Sequence, residues 1–215
     1  ESIHVLPENV SLLSAALTEP LACCVHAALE KTTIESSDTV LIIGPGPIGL
    51  LLAQVVKSQG ATVIMSGVTK DKERLEIAKN LGVDRTVNVM EESLADVVNE
   101  MTDGNGVNKG FDCSGFMPAV NEALRLLRKK GTFVQVGIFA KKLNEMDQEA
   151  IIQRELQYIG SRSQKPSSWI TALDLMASGK VNTEALVTRT VGLDEFNEGI
   201  TALMNGEEIK VAVKS

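Results

Sequence analysis

Thr39-Val40-Leu41-Ile42-Ile43-Gly44-Pro45-Gly46-Pro47-Ile48-Gly49 joins an apolar, β-branched run to three glycines spaced G-x-G-x-x-G. The first five residues read as a strand covered on both faces. The apolar run Ile48–Val56 reads as a helix, with Pro47 in the first turn, where a missing N–H is harmless. The glycine spacing alone is a weak signal. A strand before it and a helix after it make the context that a dinucleotide fingerprint requires. Gly44 permits the tight turn, Gly46 lets backbone approach a pyrophosphate, and Gly49 lets the helix pack closely on the sheet. Free N–H groups and the helix dipole at the start of that helix favour a phosphate anion. Two other readings compete: a strand–turn–helix with no ligand, and a methyltransferase-type nucleotide site.

Outward from the loop, strand-like and helix-like segments alternate with short connections. Strand-like runs are Thr39–Gly44, Thr62–Ser66, Arg85–Val89, Gly110–Ser114, Thr132–Gly137 and Leu156–Gly160. Between them lie helix-like runs at Pro47–Ser58, Lys72–Leu81, Ser93–Met101, Pro118–Arg128 and Gln148–Glu155. In Lys72–Leu81 the residues Leu75, Ala78 and Leu81 recur at helical spacing, and Gly82 suits a helix stop. This pattern predicts an α/β fold with a doubly wound, six-stranded parallel sheet. The ends break the alternation. Pro7–Lys31 reads as two helices meeting at Glu19-Pro20. Ser167–Ser178 reads as a helix, followed by a strand at Leu186–Val191, a helix at Asp194–Met204 and a strand at Ile209–Val213. These last strands have no obvious place in the sheet and suggest part of a second domain. The expected division is 1–31, 32–165 and 166–215.

Composition narrows the chemistry. The 215 residues are 44% hydrophobic and 23% charged, too apolar for a disordered chain. Net charge is −7, with 28 acidic against 21 basic residues, the wrong sign for a protein that neutralises phosphates along nucleic acid. Glycine and proline interrupt the longest apolar stretch before it reaches the ~20 residues of a membrane span. Cys23, Cys24 and Cys113 form neither a CxxC nor an even disulfide set, which suits a reducing cytoplasm. His4 and His26 are too few for a self-contained histidine metal site. The chain begins at Glu1, without a signal-peptide pattern, so further chain is expected upstream.

The end of the second strand selects the dinucleotide. A carboxylate there would accept from a ribose 2′-OH and favour NAD. Here Ile64-Met65-Ser66-Gly67-Val68-Thr69-Lys70 places small residues at that point. Ser66 and Gly67 leave room for a 2′-phosphate, with Thr69, Lys70 and Arg74 as donors. The expectation is NADP in preference to NAD. Asp71 is the competing feature, because a longer loop would bring it to the ribose, and Lys70 and Arg74 also read as a solvated helix face.

Four stretches carry a resemblance: Leu17-Thr18-Glu19-Pro20-Leu21-Ala22, the glycine loop, Phe111-Asp112-Cys113-Ser114-Gly115, and Gly131-Thr132-Phe133-Val134-Gln135-Val136-Gly137. The chain resembles the C-terminal, cofactor-binding part of zinc-containing medium-chain alcohol/polyol dehydrogenases, of the sorbitol and threonine dehydrogenase type. The tail Ala177–Val181, Leu186–Arg189 and Lys210–Lys214 is similar to the family too. The resemblance implies a Rossmann domain flanked by pieces of a GroES-like catalytic domain. It implies that Glu19 contacts the catalytic zinc or its water, although a glutamate before proline is by itself a common helix-end residue. It places Cys113, Ser114 and Gly115 near a cofactor ribose, and Val136 and Gly137 along the nicotinamide edge. Ser161 and Arg162 follow toward the nicotinamide end, Arg162 reading equally as a surface ion-pairing residue. Gly44, Gly46, Pro47, Ile48 and Gly49 hold the pyrophosphate.

The resemblance further implies hydride transfer between a secondary alcohol or polyol and the nicotinamide, with zinc polarising the alcohol. The family's cysteine and histidine zinc ligands have no counterpart in this sequence. The expectation is therefore a chain that binds dinucleotide and does not catalyse alone. Alternatives are a zinc-independent, quinone-reductase-like relative and a non-catalytic NAD(P)-binding module. A homodimer or homotetramer is implied, with Gly131–Phe139 and Leu156–Gly160 as the candidate edge. Nucleic acid and membrane are not expected partners.

Overall fold

The computed structural model describes residues 3–214; Glu1, Ser2 and Ser215 lie outside the described residues. Six strands form one parallel sheet: β1 (Thr39–Ile43), β2 (Thr62–Gly67), β3 (Arg85–Asn88), β4 (Val107–Asp112), β5 (Leu127–Gln135) and β6 (Gln157–Gly160). Their order is β3-β2-β1-β4-β5-β6. The predicted doubly wound sheet is thus present, and its order reverses between β1 and β4.

Alternation along the strands fills two cores. Val40 and Ile42 of β1 face one apolar cluster, together with Val63, Met65 and Phe111. Leu41 and Ile43 face the other, together with Ile64, Val87 and Phe133. The first face is covered by α1 (Leu12–Ala15), α2 (Thr18–Val25), α3 (Pro47–Lys57), α4 (Lys72–Asn80) and α8 (Pro166–Ala177). The second is covered by α5 (Leu94–Met101), α6 (Met117–Leu126) and α7 (Gln148–Gln153). Helix α3 is buried from Gly49 to Val56 on every side, because α2 packs on the face that the sheet leaves free.

Four local readings are corrected. The break between the first two helices falls at Leu17, not at Glu19-Pro20. Pro20 sits inside the first turn of α2, where no N–H is needed. Strand β4 begins at Val107 and ends at Asp112, so Cys113 and Ser114 belong to the loop beyond it. The helix expected to reach Arg128 stops at Leu126, since Leu127 already pairs with Val107. A bulge follows, with Thr132 opposite Lys109 and Lys130 at φ +60°. The sheet edges are β3 and β6; β5, expected to share an edge with β6, lies between β4 and β6.

The C-terminal strands pair with each other. β7 (Val187–Gly192) and β8 (Lys210–Lys214) form a two-stranded parallel sheet joined through α9 (Phe196–Asn205). Leu193, Phe196, Ile200 and Met204 are exposed along one stripe of that helix and the turn before it. No helix among the described residues is long and apolar enough to cross a membrane.

Candidate dinucleotide cleft

A cleft of about 570 Å³ opens at the carboxyl ends of β1, β2 and β4, where the strand order reverses. Open parallel sheets bind ligands at this point, because loops on the two sides diverge to opposite faces. Gly44, Gly46, Ser66, Gly67, Lys70 and Arg74 line it, with Cys113 and Ser114 on the β4 side. Eight of the predicted cofactor residues thus share one wall system. Pro47, Ile48 and Gly49 form the first turn of α3 behind that wall.

The loop's tightness is measurable. A Cβ at Gly49 would lie 2.0 Å from the Gly44 carbonyl oxygen, so helix and strand can approach this closely only through glycine. A Cβ at Gly46 would meet nothing within 4 Å, although Gly46 lines the cleft. The space over Gly46 is a cradle that a side chain would fill. Helix α3 starts immediately after it, with its positive end at the cleft. These residues fit a pyrophosphate.

At the second strand, Ser66 is buried and Gly67 packs against Pro45. The Asp71 carboxylate accepts a hydrogen bond from the Val68 N–H at 3.1 Å and so closes the turn Thr69–Asp71. Asp71 also lines the cleft, beside Lys70. Thr69 Oγ1 accepts from the Asn88 amide at 3.2 Å. Arg74 donates to the Glu208 carbonyl at 3.1 Å, tying α4 to the segment before β8.

Sequence reasoning missed an apolar wall made by Val89, Leu94, Phe116, Pro118 and Ala119. Phe116 is 60% exposed, an unusual position for a large ring in a chain that is 3% aromatic. Such a wall suits a planar base. It comes from the ends of three separate elements and has no local spacing signature.

Beyond the glycine loop, Cys113 is part-buried, and burial together with the neighbouring Asp112 pushes its thiol upward. That argues against a reactive thiol. Gly115 stands at φ +66°, where a Cβ would meet the Ile138 carbonyl oxygen at 2.2 Å. Gly137 packs against Gly115, and β5 ends at Gln135, so Val136 and Gly137 belong to the loop beyond it and not to the strand as expected. Ser161 is buried, its N–H donating to the Gln135 carbonyl at 2.8 Å. Arg162 is exposed in the loop between β6 and α8. Val136, Gly137, Ser161 and Arg162 do not line the cleft around the glycine loop.

Glu19 is exposed on the first turn of α2. Its carboxylate accepts from the Cys23 thiol at 3.4 Å, and that thiol also donates to Gln164 at 3.1 Å. Burial, and then the Glu19 charge, push the Cys23 thiol up to about 12. Cys23 is half-buried, whereas Cys24, next to it on α2, is fully buried. His26 pairs with Glu30 at 2.6 Å inside a π-helical turn, and His4 stacks on Trp169. Among the described residues no group of three or more His, Cys, Asp or Glu could hold a metal ion. A zinc site built by this chain alone does not fit, because a catalytic zinc needs three protein ligands.

Residues 47–178 match the family model described as zinc-binding dehydrogenase. The chain belongs to this family. It is 54% identical over 215 residues to the D-arabitol-phosphate dehydrogenase of Enterococcus avium, covering 100% of this chain and 61% of that protein. It is 47% identical to a sorbitol dehydrogenase of Halalkalibacterium halodurans, covering 98% and 61%. The chain therefore spans about three fifths of the length of these relatives. Among solved structures, a zinc-binding dehydrogenase of Sinorhizobium meliloti bound to NADP superposes with TM-score 0.85 at 30% identity, covering 98% of this chain and 61% of that one. A short chain alcohol dehydrogenase of Escherichia coli complexed with NADH gives 0.88 at 25% identity, covering 99% and 62%.

Proposed function

We propose that this chain is the NAD(P)-binding portion of a zinc-dependent dehydrogenase that moves a hydride between a secondary alcohol or polyol and a nicotinamide cofactor. The observation that carries it is the open cradle over Gly46 at the point where the strand order reverses. The dinucleotide supplies the hydride chemistry when bound. The chain's own residues bind and orient it. Gly44–Gly49 hold the pyrophosphate, the Phe116 wall takes the base, and the turns at Ser114-Gly115 and Val136-Gly137 support the nicotinamide half. Ser161 and Arg162 extend that half. Glu19 is proposed as one acidic contact of a zinc whose remaining ligands this chain does not supply. The chain alone is then a binder, and turnover belongs to the whole protein.

NADP is proposed as the preferred dinucleotide. Support comes from the small residues at Ser66-Gly67, from Lys70 and Arg74 in the cleft wall, and from Asp71, whose carboxylate is engaged by its own turn. A polyol or polyol phosphate is the proposed substrate class, supported by the names of the two relatives at 54% and 47% identity. Residues 1–31 and 166–215 are proposed as the flanks of a GroES-like catalytic domain around the Rossmann domain at 32–165. The exposed stripe Leu193-Phe196-Ile200-Met204 supports that reading. Free Cys23, Cys24 and Cys113 support a cytoplasmic location, and the β6 edge supports a homodimer or homotetramer. Titrating the chain with NADPH and NADH, and assaying the full-length gene product with polyols and zinc, tests the reading. NADPH is expected to bind more tightly. Equal or tighter NADH binding overturns the preference, and a chain that binds neither overturns the function.

A further inference from the structure

Asp112 ends β4 and is 0% exposed. A buried carboxylate is costly unless donors surround it. Here every partner donates. Oδ1 accepts from the Ser114 N–H at 2.9 Å and the Ser114 hydroxyl at 2.6 Å. Oδ2 accepts from the Gly115 N–H at 3.0 Å and from the Gln135 side-chain amide. Asp112 also holds the neighbouring strand end through its main chain, since its carbonyl accepts from Val136 at 3.0 Å and Gly137 at 2.8 Å.

Gln135 continues the network. Its amide nitrogen also donates to the Gly137 carbonyl at 2.7 Å, and its amide oxygen accepts from the Tyr158 hydroxyl at 2.9 Å. Tyr158 lies on the edge strand β6, with its ring stacked on Phe133. The Gln135 backbone carbonyl accepts from Ser161. Two chain turns, at Ser114-Gly115 and Gly137, are thus tied to one pair of side chains, and the main chain of Gln135 holds a third at Ser161. The packing leaves no slack, because a Cβ at Gly137 would lie 2.6 Å from Asp112 Oδ2 and 2.4 Å from the Gly115 nitrogen.

We propose that Asp112, backed by Gln135 and Tyr158, is the positioning residue that sets the turns carrying the nicotinamide half of the dinucleotide. The proposal rests on the dinucleotide reading above. Asp112 does not line the cleft, so it acts through Ser114, Gly115 and Gly137. A carboxylate here serves a purpose that an apolar residue would not, since it fixes two N–H groups and a hydroxyl of one turn against the next strand.

The test uses the 215-residue chain and two ligands: NADPH, which spans the whole site, and 2′,5′-ADP, which fills only its adenosine half. Asp112→Asn turns an N–H donor toward donors that already point inward. It is expected to weaken NADPH by about tenfold or more, as expected for unpaired buried donors, and to weaken 2′,5′-ADP, which meets only Ser114 of these turns in the cleft, by about threefold at most. Tyr158→Phe removes one hydroxyl at the edge of the network. It is expected to weaken NADPH by about threefold with 2′,5′-ADP unchanged, and it decides the matter if Asp112→Asn does not fold. Both are read by quenching of protein fluorescence and by the emission of bound NADPH. A variant that folds and binds NADPH like the wild type overturns the proposal. So does equal loss of both ligands, which would mark a general structural defect. A wild-type chain that binds neither ligand overturns the dinucleotide reading and this inference with it.

Discussion

Gly46→Ala and Gly49→Ala are three residues apart, yet they should fail in different ways. At Gly49 the added methyl would sit 2.0 Å from the Gly44 carbonyl oxygen. That is about 1.4 Å short of ordinary contact, close to the ~1.5 Å rise of one helical residue, so α3 must slide or tilt by nearly a full step. Helix α3 is buried from Gly49 to Val56, and a shift of that size disturbs its whole contact with β1, β2 and α2. Overpacking in a dense core costs about 3 kcal/mol at the upper end of its usual range. For a chain of this length that corresponds to a fall in Tm of about 10 °C. At Gly46 the methyl would meet nothing within 4 Å, and the backbone, at φ −76° and ψ 179°, suits alanine. Loss of glycine at a helix N-cap costs about 0.5 to 1 kcal/mol, while the stiffer unfolded chain returns about 0.4 to 1 kcal/mol. Net stability should change by less than about 0.5 kcal/mol. Dinucleotide affinity should still fall about tenfold or more, since the methyl occupies the cradle. Denaturant unfolding and an NADPH titration, run on both variants, separate the two effects. A Gly49→Ala chain as stable as the wild type would refute the close-packing account. A Gly46→Ala chain that binds NADPH undiminished would show that the ligand does not approach this backbone.

Lys70→Ala and Arg74→Ala should each weaken NADPH about tenfold while NADH stays within about twofold, measured by parallel titrations; equal losses would remove these residues from 2′-phosphate recognition. Glu30 gives a pH prediction. Burial raises its carboxyl, but hydrogen bonds from His26, Ser167 and Ser168 outweigh burial and hold it below its usual value of 4.5. A carboxyl lowered by folding stabilises fully above that value, and its contribution is lost as pH falls through the lowered one. Glu30→Gln should therefore cost about 1 to 2 kcal/mol at pH 7, with the gap to wild type narrowing in acid; urea midpoints at both pH values check it. Cysteine reactivity gives the last test. With the Cys23 thiol near 12 and those of Cys24 and Cys113 also raised, Ellman's reagent at pH 8 should modify all three slowly in the native chain and rapidly in guanidinium. Fast native modification of one thiol would place it in a different environment.

What was legible in the sequence was whatever repeats locally. The run Thr39–Ile43 is apolar at every position because both faces of β1 are covered, and Pro47 and Gly49 mark the helix that follows. Alternating strands and helices predict a doubly wound sheet, and the strand pairing supplies its order. What was not legible depends on distant approach. The β5 bulge arises because Leu127 pairs with Val107 across some twenty residues of chain. Nothing in the sequence near Arg128 announces it. The Phe116 wall is assembled from the ends of β3, α5 and α6. The helix break at Leu17 was missed because Glu-Pro is compatible with either side of an N-terminus. Asp112 has no signature of its own within Phe111–Gly115, since one aspartate after an apolar run is ordinary until its donors are in place.

The same contrast separates what the proposed dinucleotide site asks of the chain from what a metal centre would ask. A pyrophosphate is held by backbone N–H groups and by room, and a single strand–turn–helix supplies both within six residues, Gly44–Gly49. A catalytic zinc needs three side-chain donors converging within about 2.3 Å of one point, and such donors come from separate elements. In this chain the other candidates are already engaged. His26 is paired with Glu30, His4 is stacked on Trp169, and Cys24 is buried with its thiol on the Ile48 carbonyl. Glu19 and Cys23 stand together on the exposed side of α2, joined by a hydrogen bond from the thiol to the carboxylate. Bringing a metal to Glu19 would require the Cys23 thiol to release that carboxylate. A substitution of Cys23 by serine should therefore leave dinucleotide binding unchanged and alter only the environment of Glu19. Weakened NADPH binding in Cys23→Ser would show that α2 acts on the cofactor cleft, although no α2 residue lines it.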